Sequence, residues 1–399
     1  MKPSSFKAIL SLLLSAGLLT GCSGSAPEVS QTIQPSPQPV QTWDVESLMS
    51  GMSLREKVGQ LFLVRPDALD PAQTQEKIDN SDMPGVKELT SAIEEMLEKY
   101  PVGGVVLFGK NLSSPQQVTA FNQALQEASR IPLFIGVDEE GGSVARLANH
   151  PGFDLPQYES AGAVGAAGDP ENAREMGRVI GSYLNEYGFN LDFAPVADVN
   201  TNPQNPVIGD RAFSSQPRQA AQMASAMAEG LTQEGIIPVF KHFPGHGDTA
   251  EDSHSGIAVT YKTAQEMESC EWIPFSQVPE GAWVMVGHIA APEITGDLTP
   301  ASLSPALVTG VLREQLGFEG LVVTDSLAMG AITQEYTPGQ AALEALNAGC
   351  DLLLMPAGLE EAFEAVVTAL ENGTLSQERL DQSVERILEY KLEYGLLNG

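Results

Sequence analysis

Eight short apolar runs recur along the chain, and each is a continuous block rather than an alternation of apolar and polar residues. Continuous blocks of this kind are typical of strands that are buried on both faces of a parallel sheet. The predicted strands are Leu61–Val64, Val105–Phe108, Leu133–Val137, Leu191–Ala194, Ile237–Phe240, Trp283–Val286, Leu321–Val323 and Leu352–Met355.

Longer amphipathic stretches separate most of these runs and predict helices. They cover residues 86–99, 115–129, 171–187, 216–234, 304–316 and 338–348, and two more follow the last run at 359–371 and 376–394. The spacing Ser53-x-x-Glu56 is a capping box, which predicts a helix before the first strand.

The alternation of strands and helices predicts an α/β fold, a single-domain (β/α)8 TIM-type barrel over residues 44–399. An open doubly wound sheet is the competing arrangement, and the count of eight strands favours closure. We expect no C-terminal second domain, because the last predicted helix ends close to the last residue.

The first 43 residues predict export and tethering. Lys2 and Lys7 flank the start of an apolar stretch that is short for a membrane span and that ends at Leu19-Thr20-Gly21-Cys22. This ending resembles a bacterial lipobox, so residues 1–22 are interpreted as a lipoprotein signal peptide with lipidation at Cys22. A plain secretory signal or a short membrane anchor is the alternative. Residues 23–43 are rich in Ser, Pro and Gln and predict a flexible tether.

The charge balance excludes two classes of partner. The chain has 21 Lys and Arg against 52 Asp and Glu, a formal net charge of −31. Nucleic-acid binding and polybasic lipid binding both draw on clustered cations, so we expect neither, and membrane contact only through the lipid anchor. We also expect a monomer, and no disulfide between Cys270 and Cys350.

Polar residues follow several predicted strands, where a barrel carries its catalytic groups. Asp138 follows the third strand, Lys241 and His242 the fifth, His288 the sixth and Asp325 the seventh. We expect His288 at the floor of the pocket that these residues form.

The segment after the fifth strand reads KHFPGHGDTAEDSH and permits two chemistries. A metal-dependent hydrolase would use ligands from the set His242, His246, Asp248, Asp252 and His254. Lys241 would repel a cation there, and Pro244 and Gly245 prevent a helix from aligning the first two histidines. These features disfavour the metal interpretation. The other chemistry that the residues permit is acid–base catalysis, which needs no metal and no other cofactor.

Four segments together resemble glycoside hydrolase family 3, in its bacterial β-N-acetylhexosaminidase branch and its lipoprotein form. They are Lys241–His254, Val137–Gly142 with Arg146, Ile208–Phe213 and Val323–Met329. The resemblance implies that Asp325 is the nucleophile and His254 the general acid and base, with Asp252 as its partner. It also implies substrate binding by Asp138, Arg146, Arg211, Lys241 and His242. Glu139 and Ser143 depart from the family pattern, which more often has Gln and Arg there.

Elementary chemistry is consistent with these implied roles. A retaining glycosidase needs a carboxylate on one side of the anomeric carbon and a proton donor on the other. Asp325 directly follows a buried run, which would hold its carboxylate rigidly, and an imidazole at His254 would titrate near neutrality. The competing interpretations are a helix N-cap for Asp325 and a solvated loop histidine for His254.

The function expected from the resemblance is an exo-acting β-N-acetylglucosaminidase that is lipid-anchored outside the cytoplasm. Its substrates would be cell-wall or chitin-type oligosaccharides with a terminal N-acetylglucosamine. A phosphorylase or a β-glucosidase of the same family is the nearest alternative. A metal-dependent hydrolase and a non-catalytic sugar-binding lipoprotein are the alternatives from other classes.

Overall fold

Eight parallel strands form the centre of the molecule in the computed structural model, which describes residues 44–250 and 256–397. In chain order they are β1 (Phe62–Val64), β2 (Gly104–Val106), β3 (Phe134–Val137), β4 (Leu191–Asp192), β5 (Ile237–Phe243), β6 (Trp283–Val286), β7 (Val322–Thr324) and β8 (Leu353–Leu354). All eight coincide with predicted strands, to within a few residues at the ends.

The strands close into a barrel. Each strand pairs in parallel with its neighbours in the chain, and β1 pairs with β8 through Phe62 opposite Leu353. Between β7 and β8 a parallel bridge joins Val323 to Leu352, and the Thr324 amide donates to the Leu352 carbonyl at 3.0 Å. The predicted (β/α)8 barrel is therefore confirmed, and the open doubly wound sheet is wrong.

Strand β5 extends three residues beyond its predicted end at Phe240 and includes Lys241 and His242. The apolar pattern stops at Phe240, but both polar side chains are buried in the fold and meet carboxylates there. A buried polar group with a partner is compatible with a strand interior, and the hydropathy pattern does not reveal such a partner.

Helices surround the barrel. The long helices are Ser91–Lys99, Pro115–Ala128, Pro170–Glu186, Pro217–Gln233, Pro338–Ala348, Leu359–Glu371 and Gln377–Glu393, with a π-helix at Ala306–Gln315. All eight helical predictions are confirmed. The helix predicted to begin near residue 86 begins five residues later, because the Thr90 side chain caps it by accepting from the Ile93 amide.

Shorter elements complete the described chain. Short α-helices are Val45–Ser50, Leu54–Gln60, Gln75–Asp79, Ala161–Ala166, Ala264–Glu268, Trp272–Phe275, Pro292–Thr295 and Gly330–Thr333. The 3-10 turns are Pro66–Leu69, Gly109–Asn111, Gly209–Arg211 and Ala301–Leu303. Two small sheets pair Glu139–Gly141 with Val144–Ala145 and Ala258–Val259 with Ile289–Ala290.

The capping box predicted at the first turn of Leu54–Gln60 is present, since Ser53 and Glu56 exchange hydrogen bonds between side chain and backbone. Cys350 is buried, Cys270 is partly buried, and both are free thiols. No helix within 44–250 and 256–397 is long and apolar enough to cross a bilayer. The signal peptide, Cys22 and the tether lie outside the described residues.

Candidate active site

A cavity of about 280 Å³ opens at the carboxyl ends of the barrel strands. The six described residues to which the family resemblance gives a role are all in its wall. The lining comprises Arg65, Val106, Phe108, Asp138, Glu140, Val144, Arg146, Phe193, Val207, Arg211, Lys241, His242, His246, Met285, Asp325, Ser326, Met329, Leu354 and Met355.

A tight hairpin after β3 brings Arg146 back towards Asp138. The turn passes through Gly141 and Gly142 with φ of 84° and 61°, a backbone region that favours glycine. A β-carbon on Gly141 would also lie 2.3 Å from the Met176 side chain. As a result Arg146 Nη2 lies 3.5 Å from Asp138 Oδ2, and Arg146 Nε is buried without a hydrogen-bond partner among the described residues.

Two carboxylates and two cations form one buried network beneath the cavity. Lys241 Nζ lies 2.8 Å from Asp138 Oδ1 and 2.6 Å from Glu140 Oε1. Arg211 makes a bidentate pair with Glu140 at 2.8 and 2.7 Å. Bidentate pairing fixes the plane of the Arg211 guanidinium group. Because Glu140 also contacts Lys241 Nζ, it helps to position both cations.

The charges of this network hold its groups ionised. Burial alone would raise the pKa of Asp138 and Glu140, but Lys241 together with Arg146 or Arg211 outweighs burial, and both pKa values are lowered. Burial alone would lower the pKa of Lys241, and the two carboxylates reverse this, so its pKa is raised. The cavity floor therefore carries fixed donors and acceptors that are suited to sugar hydroxyls.

Asp198, four residues past the predicted end of the fourth strand, orients two histidines. Its Oδ2 accepts from the His242 amide at 3.1 Å and lies 2.7 Å from His242 Nδ1. Its Oδ1 accepts from the His246 amide at 2.6 Å. Burial alone would raise the pKa of Asp198, but His242 and His246 lower it overall. With Nδ1 directed at Asp198, the Nε2 edge of His242 is the edge left for the cavity.

His246 braces the loop after β5, as its Nδ1 lies 2.5 Å from Thr249 Oγ1. Asn205 ties this loop to the loop after β4 by donating to the carbonyls of His246 and Thr249. The close approach requires glycine at 247, where a β-carbon would lie 1.9 Å from the Val199 carbonyl oxygen.

Asp325 stands at the end of β7. Its amide donates to the Val286 carbonyl at 2.8 Å, which continues the pairing with β6, and its Oδ1 accepts from the Ser326 amide at 2.7 Å. The next helix, Gly330–Thr333, has Met329 as its N-cap, so the helix-cap interpretation of Asp325 is wrong.

The His288 ring contacts the backbone that directly follows Asp325. Its Nε2 lies 2.9 Å from the Ser326 carbonyl oxygen and its Nδ1 2.7 Å from Ser302 Oγ. The side chain is buried and is not part of the cavity wall. The expectation that His288 forms the pocket floor is wrong, because its ring is used to hold the backbone that follows Asp325.

Asp252 and His254 lie outside the described residues. The chain on either side of them is held by Lys262, whose Nζ lies 3.4 Å from Asp248 Oδ1 and 2.5 Å from the buried Glu271. Within the described residues no three His, Cys, Asp or Glu side chains are grouped to hold a metal ion. Two of the five candidate metal ligands, Asp252 and His254, are not among those residues.

Five residues that line or support the cavity were not predicted from the sequence. Arg65, Phe108 and Met355 line the cavity, and Glu140 and Asp198 orient its cations and histidines. The Arg65 guanidinium lies 4.8 Å from the Phe108 ring centre, and its Nε lies 3.3 Å from Met355 Sδ. All five residues follow a barrel strand within a few positions in the sequence. That position is the feature from which they could have been predicted.

A second cavity, of about 590 Å³, lies at the amino ends of β1, β2 and β3. Its wall mixes acidic and basic side chains, among them Arg55, Glu56, Lys99 and Arg130. The smaller cavity is the candidate active site, because barrel enzymes carry their chemistry at the carboxyl ends of the strands.

Comparison with known proteins identifies relatives of this chain. The family model described as "Glycosyl hydrolase family 3 N terminal domain" matches residues 53–390. Beta-hexosaminidase A of Pseudoalteromonas piscicida is 34% identical over 76% of the chain, and Beta-hexosaminidase LpqI of Mycobacterium tuberculosis is 33% identical over 95%. A solved family 3 beta-N-acetylglucosaminidase from Paenibacillus sp. superposes with a TM-score of 0.78 at 35% identity over 86% of the chain.

These relatives differ in length. The chain spans 55% of the Pseudoalteromonas protein and 63% of the Paenibacillus structure, but 96% of the mycobacterial protein.

Proposed function

The chain belongs to glycosyl hydrolase family 3 and is therefore a glycoside hydrolase, and we propose that it is a retaining, exo-acting β-N-acetylglucosaminidase. The names of its relatives support a substrate that contains N-acetylhexosamine. The observation that carries the proposal is the cavity itself, in which Asp325 at a strand end shares a wall with the network of Asp138, Glu140, Arg211 and Lys241.

In the proposed reaction Asp325 attacks the anomeric carbon of the terminal sugar. His254, assisted by Asp252, donates a proton to the glycosidic oxygen, so the leaving sugar departs as an alcohol. A covalent glycosyl-aspartate forms. His254 then removes a proton from water, which attacks the anomeric carbon and releases Asp325. The sugar leaves with its original anomeric configuration.

The rigid floor of the cavity supports the binding half of the proposal. Lys241, Arg146, Arg211 and His242 supply N–H donors, and Asp138 supplies acceptor oxygens. Their positions are set by the surrounding network rather than by the substrate, so little reorganisation is needed when the sugar binds. A misplacement of about 1 Å at such a site can reduce the rate roughly a hundredfold.

The proposal includes the location. We propose that residues 1–22 direct export, that Cys22 is lipidated and that residues 23–43 tether the domain 44–399 outside the cytoplasm. The substrates would be cell-wall or chitin-type oligosaccharides. The enzyme would act as a monomer, with no nucleic acid and no cofactor in the reaction.

Replacing Asp325 by Asn tests the nucleophile. We expect hydrolysis of an aryl 2-acetamido-2-deoxy-β-glucoside to fall by at least about a thousandfold, because a single triad-type residue contributes at that scale. The thermal unfolding midpoint should stay close to that of the parent protein. The matched control is Asp82→Asn, an exposed aspartate that does not line the cavity. Turnover that survives the Asp325 replacement contradicts the proposal.

The same assay separates the alternatives. Aryl glycosides that differ at position 2 distinguish an N-acetylglucosaminidase from a β-glucosidase. Added phosphate distinguishes hydrolysis from phosphorolysis, since only a phosphorylase forms sugar 1-phosphate. His254→Ala should impair cleavage of a disaccharide more than cleavage of a nitrophenyl glycoside, because an acidic phenol leaves without needing a proton. Equal losses on both substrates would rule out His254 as the acid.

A further inference from the structure

Two large hydrophobic side chains stand out from the described surface because they are exposed. Tyr261 is 72% exposed and Leu298 is 56% exposed, while most large apolar side chains of the described chain are buried. A single exposed apolar residue needs no explanation. These two are of interest because the fold places them on neighbouring segments.

Both residues flank the same small sheet. Ala258–Val259 runs parallel to Ile289–Ala290, and the Thr260 amide donates to the Ala290 carbonyl at 2.9 Å. On the other side Pro300 forms an antiparallel bridge to Ala290. Tyr261 follows the first segment by two residues, and Leu298 precedes Pro300 by two residues. The two segments lie on opposite sides of Ile289–Ala290, about two strand spacings or roughly 10 Å apart, so the two side chains belong to one part of the surface.

This sheet lies at the end of the barrel where the cavity opens, because Ile289–Ala290 begins three residues after β6 ends. Ile289 directly follows His288, whose ring contacts the Ser326 carbonyl beside Asp325. Lys262, next to Tyr261, is held by the buried Glu271 and lies 3.4 Å from Asp248. The backbone of Tyr261 is thus held on both sides, by Thr260 and by Lys262, at the end of the barrel where the cavity opens.

The volume of the cavity indicates which part of a substrate such a surface would contact. Pockets for whole drug-sized ligands occupy roughly 300–1,000 Å³, and this cavity has about 280 Å³. The rest of an oligosaccharide must therefore lie outside it, against the rim. A tyrosine ring offers a large, rigid and amphipathic contact area at a low entropic cost. Such a ring suits the apolar face of a neutral sugar.

We propose that Tyr261 and Leu298 form the contact surface for the sugar on the leaving side of the scissile bond. This inference rests on the proposed function, and it adds a determinant of which oligosaccharides are cleaved. It predicts that the enzyme distinguishes a sugar leaving group from a small one at the rim, while the terminal sugar is recognised inside the cavity.

The test compares Tyr261→Ala, Leu298→Ala and, as matched control, Tyr261→Phe. Three quantities are measured: kcat/KM for N,N′-diacetylchitobiose, the partition of the glycosyl-enzyme between water and added N-acetylglucosamine, and the inhibition constant of free N-acetylglucosamine under hydrolytic conditions. The first two depend on the leaving side. The third depends chiefly on the affinity of the cavity for free N-acetylglucosamine, which should bind there more tightly than at the exposed rim.

For Tyr261→Ala we expect kcat/KM on the disaccharide, and the fraction transferred to sugar, each to fall roughly three- to tenfold. Leu298→Ala should lower them less, and Tyr261→Phe should match the parent protein because the ring is retained. The inhibition constant should stay within about twofold. Unchanged disaccharide cleavage and transfer, or an equal loss in the inhibition constant, overturns the inference. A parent protein that cleaves no 2-acetamido glucoside overturns the proposed function, and this inference with it.

Discussion

At the scale of single residues, Asp198 positions two histidines of the site. Its two carboxylate oxygens receive three donors from the segment after β5, namely the amides of His242 and His246 and the His242 ring. All of these groups are buried. An ionised carboxylate has the acceptor capacity for this arrangement, and no other side chain of similar size does.

Replacing Asp198 by Asn tests this role. An amide presents one oxygen and one NH₂ group, so at least one of the three donors loses its acceptor, at a cost of about 1–3 kcal/mol. We expect a lower free energy of unfolding in urea and a higher KM for the aryl glycoside, because His242 is no longer held. Asp154→Asn, an exposed aspartate, is the control. An unchanged KM would show that Asp198 does not position the binding residues.

The residue scale also shows what the sequence could predict of the site. Asp138, Arg146, Arg211, Lys241, His242 and Asp325 were expected to come together, and the structure places all six in one cavity wall. The roles of Glu140 and Asp198 as their partners were not predicted. Glu140 and Arg211 are 71 positions apart, and nothing in local spacing shows that they form a pair.

At the scale of elements, apolar patterning located every barrel strand and every long helix of the described chain, because burial on one or both faces is encoded in the local sequence. It did not locate the strands of the two small sheets. The errors occur where a polar side chain decides the boundary. Thr90 starts a helix later than the pattern predicts, and Lys241 and His242 extend a strand beyond it.

The C-terminal helix Gln377–Glu393 carries a lysine into the base of the barrel. Lys391 is fully buried, and its Nζ lies 2.6 Å from Gln60 Oε1 and 3.0 Å from the Gly103 carbonyl oxygen. No carboxylate of the described chain lies within ion-pair distance of it. Burial therefore lowers the pKa of Lys391 to about 7.

This lysine predicts a specific dependence of stability on pH. The ordinary lysine pKa is 10.5, so between pH 7 and 10.5 the unfolded chain binds more protons at this residue than the folded one. Its contribution to the free energy of unfolding therefore rises with pH across that window, by at most about 1.4 kcal/mol per pH unit. It is constant below pH 7, where lysine is protonated in both states.

The measurement is urea unfolding of the parent protein and of Lys391→Met between pH 6.5 and about 9.5. We expect the difference between the two stabilities to change with pH in favour of the parent protein as the pH rises. Comparing the two proteins cancels the other titrating groups. Parallel curves would show that Lys391 does not titrate in this range.

At the scale of the whole molecule, closure of the barrel depends on the seam between β7 and β8. Asp351, just before β8, accepts from the Val322 amide at 3.1 Å and from Ser383 at 2.7 Å. Its buried carboxylate also pairs with Arg313 and Arg386, and Arg379 Nη1 lies 3.7 Å away. One anion thus holds the last two strands and the C-terminal helix together.

Asp351→Asn should therefore lower global stability without changing the chemistry. Removing one partner of a buried ion pair costs roughly 3–5 kcal/mol, and here several guanidinium groups lose the same anion. Since the cluster lies at the amino end of β8, opposite the cavity, kcat measured well below the unfolding temperature should match the parent protein. Arg386→Gln, whose side chain is 32% exposed, should cost less. A change in kcat larger than the change in stability would contradict this separation.

Arg146 and Arg211 were expected in the cavity only from the resemblance to a known family. The sequence by itself determined the barrel, the strand ends and the cavity residues that directly follow strands, namely Asp138, Lys241, His242 and Asp325. Each of these depends on local patterns, since a buried strand needs an apolar block and a barrel presents the residues after it at one end. The tertiary structure alone decided which buried charged groups meet which polar partners. Asp198 with His242, Glu140 with Arg211 and Lys391 with Gln60 are 44, 71 and 331 positions apart. Such pairs are selected by the free-energy cost of burying a charge without a partner, and that cost arises only once the chain has folded.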